Sequence, residues 1–187
     1  MKIGITGGIG SGKSYVCKKL EARGINVYDC DSAAKRIMRE SDNIRMALTK
    51  LIGSNAYIDG KPNKAALATF LLASENNAHA IDNIVHPAVA KDFESSGMEW
   101  MECAIMYESG FDRLVDCVVA VTAPEEVRIE RIMKRDGITR EKAKEWMSRQ
   151  WNQEKVRARA CYEITNDGIR DIDAQIDEMM RKLNYKE

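Results

Sequence analysis

Read for the alternation of apolar and polar positions, the chain divides into short apolar runs separated by longer stretches with helical spacing. Five runs are candidate strands: Ile3–Thr6, Asn26–Asp29, Cys103–Met106, Cys117–Val121 and Glu163–Thr165. Strands that alternate with helical patterns place the chain in the α/β class, with a parallel sheet. Between the second and third runs, residues 32–97 carry apolar positions at helical spacing, among them Leu67, Leu71, Ile81, Ile84 and Val85. That stretch is too long for a simple crossover and is expected to form a helical insertion, turning at Asp59–Asn63 (DGKPN) and breaking at Pro87.

Composition narrows the classes of function. The 187 residues are 44% hydrophobic and 31% charged, with a formal net charge of +0. A neutral chain lacks the global basic field of a nucleic-acid or membrane-surface binder, so neither is expected as a partner. No apolar run is long enough to span a membrane, and the first residues lack a leader pattern. Cys17, Cys30, Cys103, Cys117 and Cys161 form no C-x-x-C pair, which signals neither a disulfide framework nor a zinc cluster. A cytoplasmic protein is expected, as a monomer or weak homo-oligomer. Trp100, Trp146, Trp151 and His79 read as packing residues, and Met38, Met46 and Met133 as core filling.

The first chemical signal follows the first strand. Gly7-Gly8-Ile9-Gly10-Ser11-Gly12-Lys13-Ser14 satisfies G-x-x-x-x-G-K-[ST], between a strand and a helix. Glycines let the backbone curl with its N–H groups inward, and the following helix aims its positive end at the same point, so phosphates are bound there. Gly8, Ile9, Gly10, Ser11 and Gly12 are the expected cradle, Lys13 reaches the β- and γ-phosphates, and Ser14 offers its hydroxyl to Mg2+. Tyr15 follows directly.

The second signal ends the second strand. "VYDCD" puts Asp29 and Asp31 at the carboxyl edge of the sheet, where α/β proteins bind ligands. One carboxylate can accept the proton of an attacking hydroxyl while the other orients it. The alternative is a helix cap, for which Asp31 or Ser32 would serve. No guanine-type NKxD signature follows.

The third signal is basic. Arg131, Arg135 and Arg140 flank the "KRDGITRE" bend, where Asp136-Gly137 interrupts a helical pattern. Such residues are ordinarily a solvated face. A hairpin at this place is also able to close over ATP, bring guanidinium groups to the moving phosphoryl and exclude water, as a transferase needs.

With these residues in view, the chain resembles the dephospho-coenzyme A kinase family over nearly its whole length. "TGGIGSGKS", "GINVYDCD", "DNIVHPAV", "MYESGFD", "RIMKRDGITRE" and Gln150 ahead of "ITNDG" occur in the family's order and spacing. The resemblance implies a P-loop NTPase three-layer sandwich with a five-stranded parallel sheet. It divides the chain into a nucleotide-binding core, residues 1–31 and 98–187 with a lid at about 125–155, and a helical CoA-binding insertion, residues 32–97. It implies ATP and dephospho-CoA as substrates with Mg2+, Asp31 as base, and Arg135 and Arg140 on the phosphate side. Asp29, Lys64, His86 and Glu108 fall on the acceptor side, and Asn166 is a candidate for the adenine edge, with a plain turn as the alternative reading. The chain departs from the family pattern at Tyr15 for a threonine, Lys64 for an arginine, Ala104 for a proline, Val156 for an arginine and Cys161 for an aspartate. Two other functions fit the same loop: a P-loop kinase for a nucleoside or sugar, and a non-catalytic ATP-binding switch.

Overall fold

A computed structural model of the chain describes residues 1–185. Its contacts divide it into two compact units, residues 1–28 with 98–185, and Asp29–Gly97.

The first unit is built on strand β1, Ile3–Thr6, whose four residues are all buried. A strand buried on both faces needs partners on both edges, and β1 has them. The sheet also contains β2 (Val27–Asp29), β5 (Trp100–Glu102), β6 (Cys117–Thr122) and β7 (Tyr162–Thr165), in the order β2-β5-β1-β6-β7. Ile3 lies opposite Trp100 on one side and Cys117 on the other, and Val119 opposite Tyr162, all in parallel register. Helices α1 (Lys13–Glu21) and α9 (Ile172–Lys182) cover one face. Val16, Leu20, Ile176 and Met179 there meet Ile3, Ile5, Val119 and Ile164, none of them measurably exposed. Burying a side chain of this size stabilises the fold by roughly 1.5–3 kcal/mol. Helices α6 (Glu125–Asp136) and α7 (Arg140–Ser148) form a hairpin that turns at Gly137 in the left-handed conformation, and α8 (Gln153–Arg159) returns the chain to β7.

The second unit holds α2 (Cys30–Glu40), α3 (Asp42–Ile52), a hairpin of β3 (Tyr57–Ile58) and β4 (Lys61–Pro62), then α4 (Lys64–Ala73) and α5 (Glu75–Ser96). Asp59 and Gly60 both take positive φ, as a two-residue hairpin turn requires. Asp29, Ser41, Asn63 and Ser74 cap the four helices with their side chains. Buried Ile81, Val85, Val89 and Phe93 make α5 the unit's spine, against which α2, α3 and α4 pack.

Several expectations need correction. The third strand is Trp100–Glu102, and the apolar run Cys103–Met106 begins the turn beyond it. That run is apolar because Met106 is buried, its methyl group packed against Gly4 of β1. Pro87 sits inside a continuous α5. It removes one backbone donor, and the apolar stripe on both sides holds the helix together regardless. Met46 and Met133 are 63% and 36% exposed rather than core, and His79 is exposed. Trp100 does pack, edge-on to Tyr185 at 5.1 Å between ring centroids. Among the described residues no helix is long and apolar enough to cross a membrane.

Candidate functional site

The loop between β1 and α1 is where the first unit prepares for an anion. Gly10 and Gly12 have φ of 80° and 91°, in the left-handed region. A side chain at Gly10 would stand 2.7 Å from the Arg128 carbonyl, and one at Gly12 would overlap the Asn166 amide nitrogen. The sequence therefore needs glycine at both positions for conformation and for space. Gly12 opens α1 with no side-chain cap and no acidic residue in the first turn. Helix α1 thus leaves its first N–H groups to a ligand, at the end where the helix dipole favours negative charge.

Side chains from three other elements brace the loop from behind. Arg128, only 7% exposed, donates from Nε to the Ile9 carbonyl at 2.9 Å. Burial pushes its guanidinium below the ordinary value, yet arginine stays charged in this range. Arg131 donates to the Gly10 and Ser11 carbonyls, at 3.4 Å each, and to Asn166 Oδ1 at 3.3 Å. Asn166 in turn donates to the Ser11 carbonyl at 3.0 Å. With the loop's carbonyls held outward, its amides face the other way. Two amides are already engaged: the Ile9 N–H donates to Gln150 Oε1 at 2.8 Å and the Ser11 N–H to the Gly8 carbonyl at 3.1 Å.

Lys13 opens α1, with its ammonium 3.7 Å from a carboxylate oxygen of Glu102 at the carboxyl end of β5. Ser14 is exposed on the same turn. Glu102 went unrecognised in the sequence because the strand was set one segment too late. Its signal was an acid ending a short apolar run. Among the described residues no group of three or more His, Cys, Asp or Glu side chains is arranged to hold a metal ion. Ser14 and Glu102 suit a cation that arrives with phosphates and keeps several waters, as Mg2+ does.

A cavity of about 660 Å³ opens beside the loop. Gly12, Tyr15, Arg131, Asn166, Gly168 and Arg170 line it. Asn166 is therefore both a strut for the loop and a wall of the cavity. Tyr15 is half exposed at its mouth, 5.6 Å from Lys19 Nζ, which itself pairs with Asp173.

The remaining site candidates have other partners. Arg135 pairs with Asp136 at 2.7 Å and Arg140 with Glu126 at 2.5 Å, so neither contacts the loop, and Arg128 and Arg131 are the arginines found there. Glu108 accepts from the Trp151 backbone N–H at 2.9 Å. In the second unit, Asp29 caps α2, accepting from Asp31 N–H at 2.9 Å and from Ser32 Oγ at 2.6 Å. The cap is thus Asp29, not Asp31 or Ser32, and Asp31 stands exposed in the first turn. Lys64 is exposed at the start of α4. His86, one turn along α5 from Asp82, lies 3.4 Å from that carboxylate. Burial pushes its imidazole below the ordinary value, and Asp82 opposes the shift.

Known proteins of the same organisation agree. The family model described as dephospho-CoA kinase (CoaE) matches residues 1–171. A dephospho-CoA kinase from Bacteroides fragilis is 42% identical over 193 residues, covering all of this chain and 94% of the relative. A crystal structure of TT1252 from Thermus thermophilus superposes with a TM-score of 0.84 at 30% identity, over 98% of this chain and 97% of the other. Dephospho-CoA kinase from Campylobacter jejuni, 20% identical, shares the fold with a TM-score of 0.67 over 98% of each chain. The glycine loop on a five-stranded parallel sheet and these likenesses together place the chain in the dephospho-CoA kinase family.

Proposed function

We propose that the chain transfers the γ-phosphoryl group of ATP to the ribose 3'-hydroxyl of dephospho-CoA, giving CoA and ADP. The observation that carries the nucleotide half is the uncapped start of α1, set behind a glycine loop whose carbonyls are held outward by Arg128, Arg131 and Asn166. Family membership carries the acceptor half.

In this reading the amides of Gly10, Gly12, Lys13 and Ser14 bind the phosphate oxygens, and Lys13 neutralises charge on the β–γ bridge as the bond to the γ-phosphorus breaks. The adenosine occupies the cavity edged by Asn166, Tyr15 and Arg170. Ser14 and Glu102 would hold Mg2+, which when bound supplies charge neutralisation at the phosphates. Of the two aspartates after β2, Asp29 is engaged as a cap, and Asp31 takes the proton from the attacking hydroxyl. Lys64 and His86 contribute to the acceptor side. Arg135 and Arg140 exchange their exposed partners in the hairpin for phosphate oxygens when ATP is bound, because exposed ion pairs are weak and readily exchanged.

A coupled ADP-release assay with magnesium-ATP, run with and without dephospho-CoA and with mass detection of the product, tests the reaction. The expected result is ADP only when dephospho-CoA is present, with a product heavier by one phosphate. ATP binding without transfer would show that the acceptor is another hydroxyl compound or that turnover is lost. Asp31→Asn with near-normal turnover would remove Asp31 as the base.

A further inference from the structure

Within the first unit the hairpin of α6 and α7 departs from the sheet after Ala123 and returns at Arg149–Asn152, and the returning segment is held at several points. The Gln150 side chain accepts from the N–H of Ile9 at 2.8 Å, and the next residue's N–H, that of Trp151, donates to the Glu108 carboxylate at 2.9 Å. Gln153 Oε1 accepts from the N–H of Ala123 at 3.0 Å, which ties the two roots of the hairpin together. The Trp151 ring stacks on Tyr107 at 5.6 Å and 12°, and Lys155 lies 3.2 Å above the same ring. Ile9, bonded at its N–H to Gln150 and at its carbonyl to Arg128, also packs its side chain into the hairpin's apolar cluster of Ile129, Ile132 and Ala143.

We infer that Glu108 and Gln150 are positioning residues, which clamp the returning root of the hairpin and through it hold Ile9 and the phosphate loop in shape. Glu108 therefore acts on the nucleotide side, through Trp151 and Gln150, and does not bind the acceptor. Its carboxylate is needed as a hydrogen-bond acceptor for a backbone N–H, a task a neutral amide oxygen also performs. Movement of the hairpin is confined to its far end around Gly137, because both roots are fixed.

The inference rests on the kinase reading above, and its test separates the two. Glu108→Ala and Glu108→Gln are compared with wild type by ATP binding at equilibrium and by steady-state kinetics with dephospho-CoA. The expected result is that Glu108→Ala weakens ATP binding about tenfold, as loss of a charge-assisted bond implies, and lowers kcat with the KM for dephospho-CoA unchanged. Glu108→Gln restores both. Gln150→Ala reproduces the Glu108→Ala pattern at a second position, so a misfolded single variant cannot decide the matter. Equal damage from Glu108→Ala and Glu108→Gln, seen as a raised KM for dephospho-CoA with ATP binding intact, would overturn the inference and make Glu108 an acceptor ligand. If wild type fails to turn over dephospho-CoA, the acceptor reading fails. The ATP-binding arm then still decides the clamp, by loss in the alanine variants and retention in Glu108→Gln.

Discussion

Lys13 and Glu102 meet at 3.7 Å, across the carboxyl ends of neighbouring strands β1 and β5. In the proposed mechanism this pair sets a cation for the γ-phosphate beside an anion for a metal. Lys13→Ala is expected to lower kcat by roughly a hundred- to a thousand-fold, the size of effect seen when one preorganised donor to a developing charge is removed. Glu102→Gln should weaken the dependence on magnesium concentration while leaving metal-free nucleotide binding nearly intact. Steady-state rates at varied magnesium, beside equilibrium binding of ATP with a chelator present, check both.

Asn166 offers a sharper test of the loop itself, since its buried amide joins Ser11 to Arg131. Asn166→Ala removes one of the two donors to the Ser11 carbonyl, with Arg131 remaining, at a cost of about 0.5–1.5 kcal/mol. The expected outcome is a lower unfolding midpoint in urea together with a several-fold higher KM for ATP. Stability lost with KM unchanged would mean that the strut and the nucleotide pocket are independent.

The arginines of the hairpin should behave in the opposite way. Arg140 pairs with Glu126 on the surface, where screening by water makes such contacts weak. Arg140→Ala is expected to leave the melting temperature essentially unchanged and to lower kcat by about a hundred-fold if its guanidinium meets the moving phosphoryl group. Thermal unfolding and turnover measured on the same preparation separate the two effects.

His86 gives the second unit a pH dependence. Burial lowers its folded value below the ordinary 6.5, so near and below that pH the unfolded chain binds more protons than the folded one. Stability is therefore whole above 6.5 and falls as the pH drops from 6.5 through the folded value. Asp82, the carboxylate beside it, limits the loss. His86→Gln should flatten that segment of the curve. Urea midpoints at about pH 7.5 and about pH 5.5 for both proteins check it; an unchanged difference between the two would remove His86 as its source.

Much of the architecture was legible because local chemistry and global fold agree. The glycine loop announces itself through spacing alone, and "DGKPN" marked a turn at Asp59–Asn63, although the two short strands β3 and β4 that flank it were not foreseen. The third strand was misplaced because a buried turn and a buried strand carry the same apolar signal, and here the turn, with Met106 inside, is the more apolar of the two. Pro87 misled for a related reason, since a proline's lost hydrogen bond is a local cost and the packing of α5 is a collective gain. Arg131 stood out in the sequence with Arg135 and Arg140, but Arg128, one turn earlier in α6, carries no signal of its own, and only the fold shows that it is Arg128 and Arg131 that turn to the loop. Glu108 read as a motif member whose partner, a backbone N–H more than forty residues away in sequence, leaves no mark in composition.

The bracing of the glycine loop also sets a timetable. Ser11 meets Asn166 across 155 residues of chain, and Ile9 meets Gln150 across 141. The phosphate-binding segment is thus synthesised well before Gln150 and Asn166, the residues that complete its contacts. During synthesis the nascent chain carries its most recognisable motif long before that motif has a shape. A product truncated before β7 therefore keeps the glycine signature but lacks Asn166, the strut that holds Ser11, and is expected to bind nucleotide poorly.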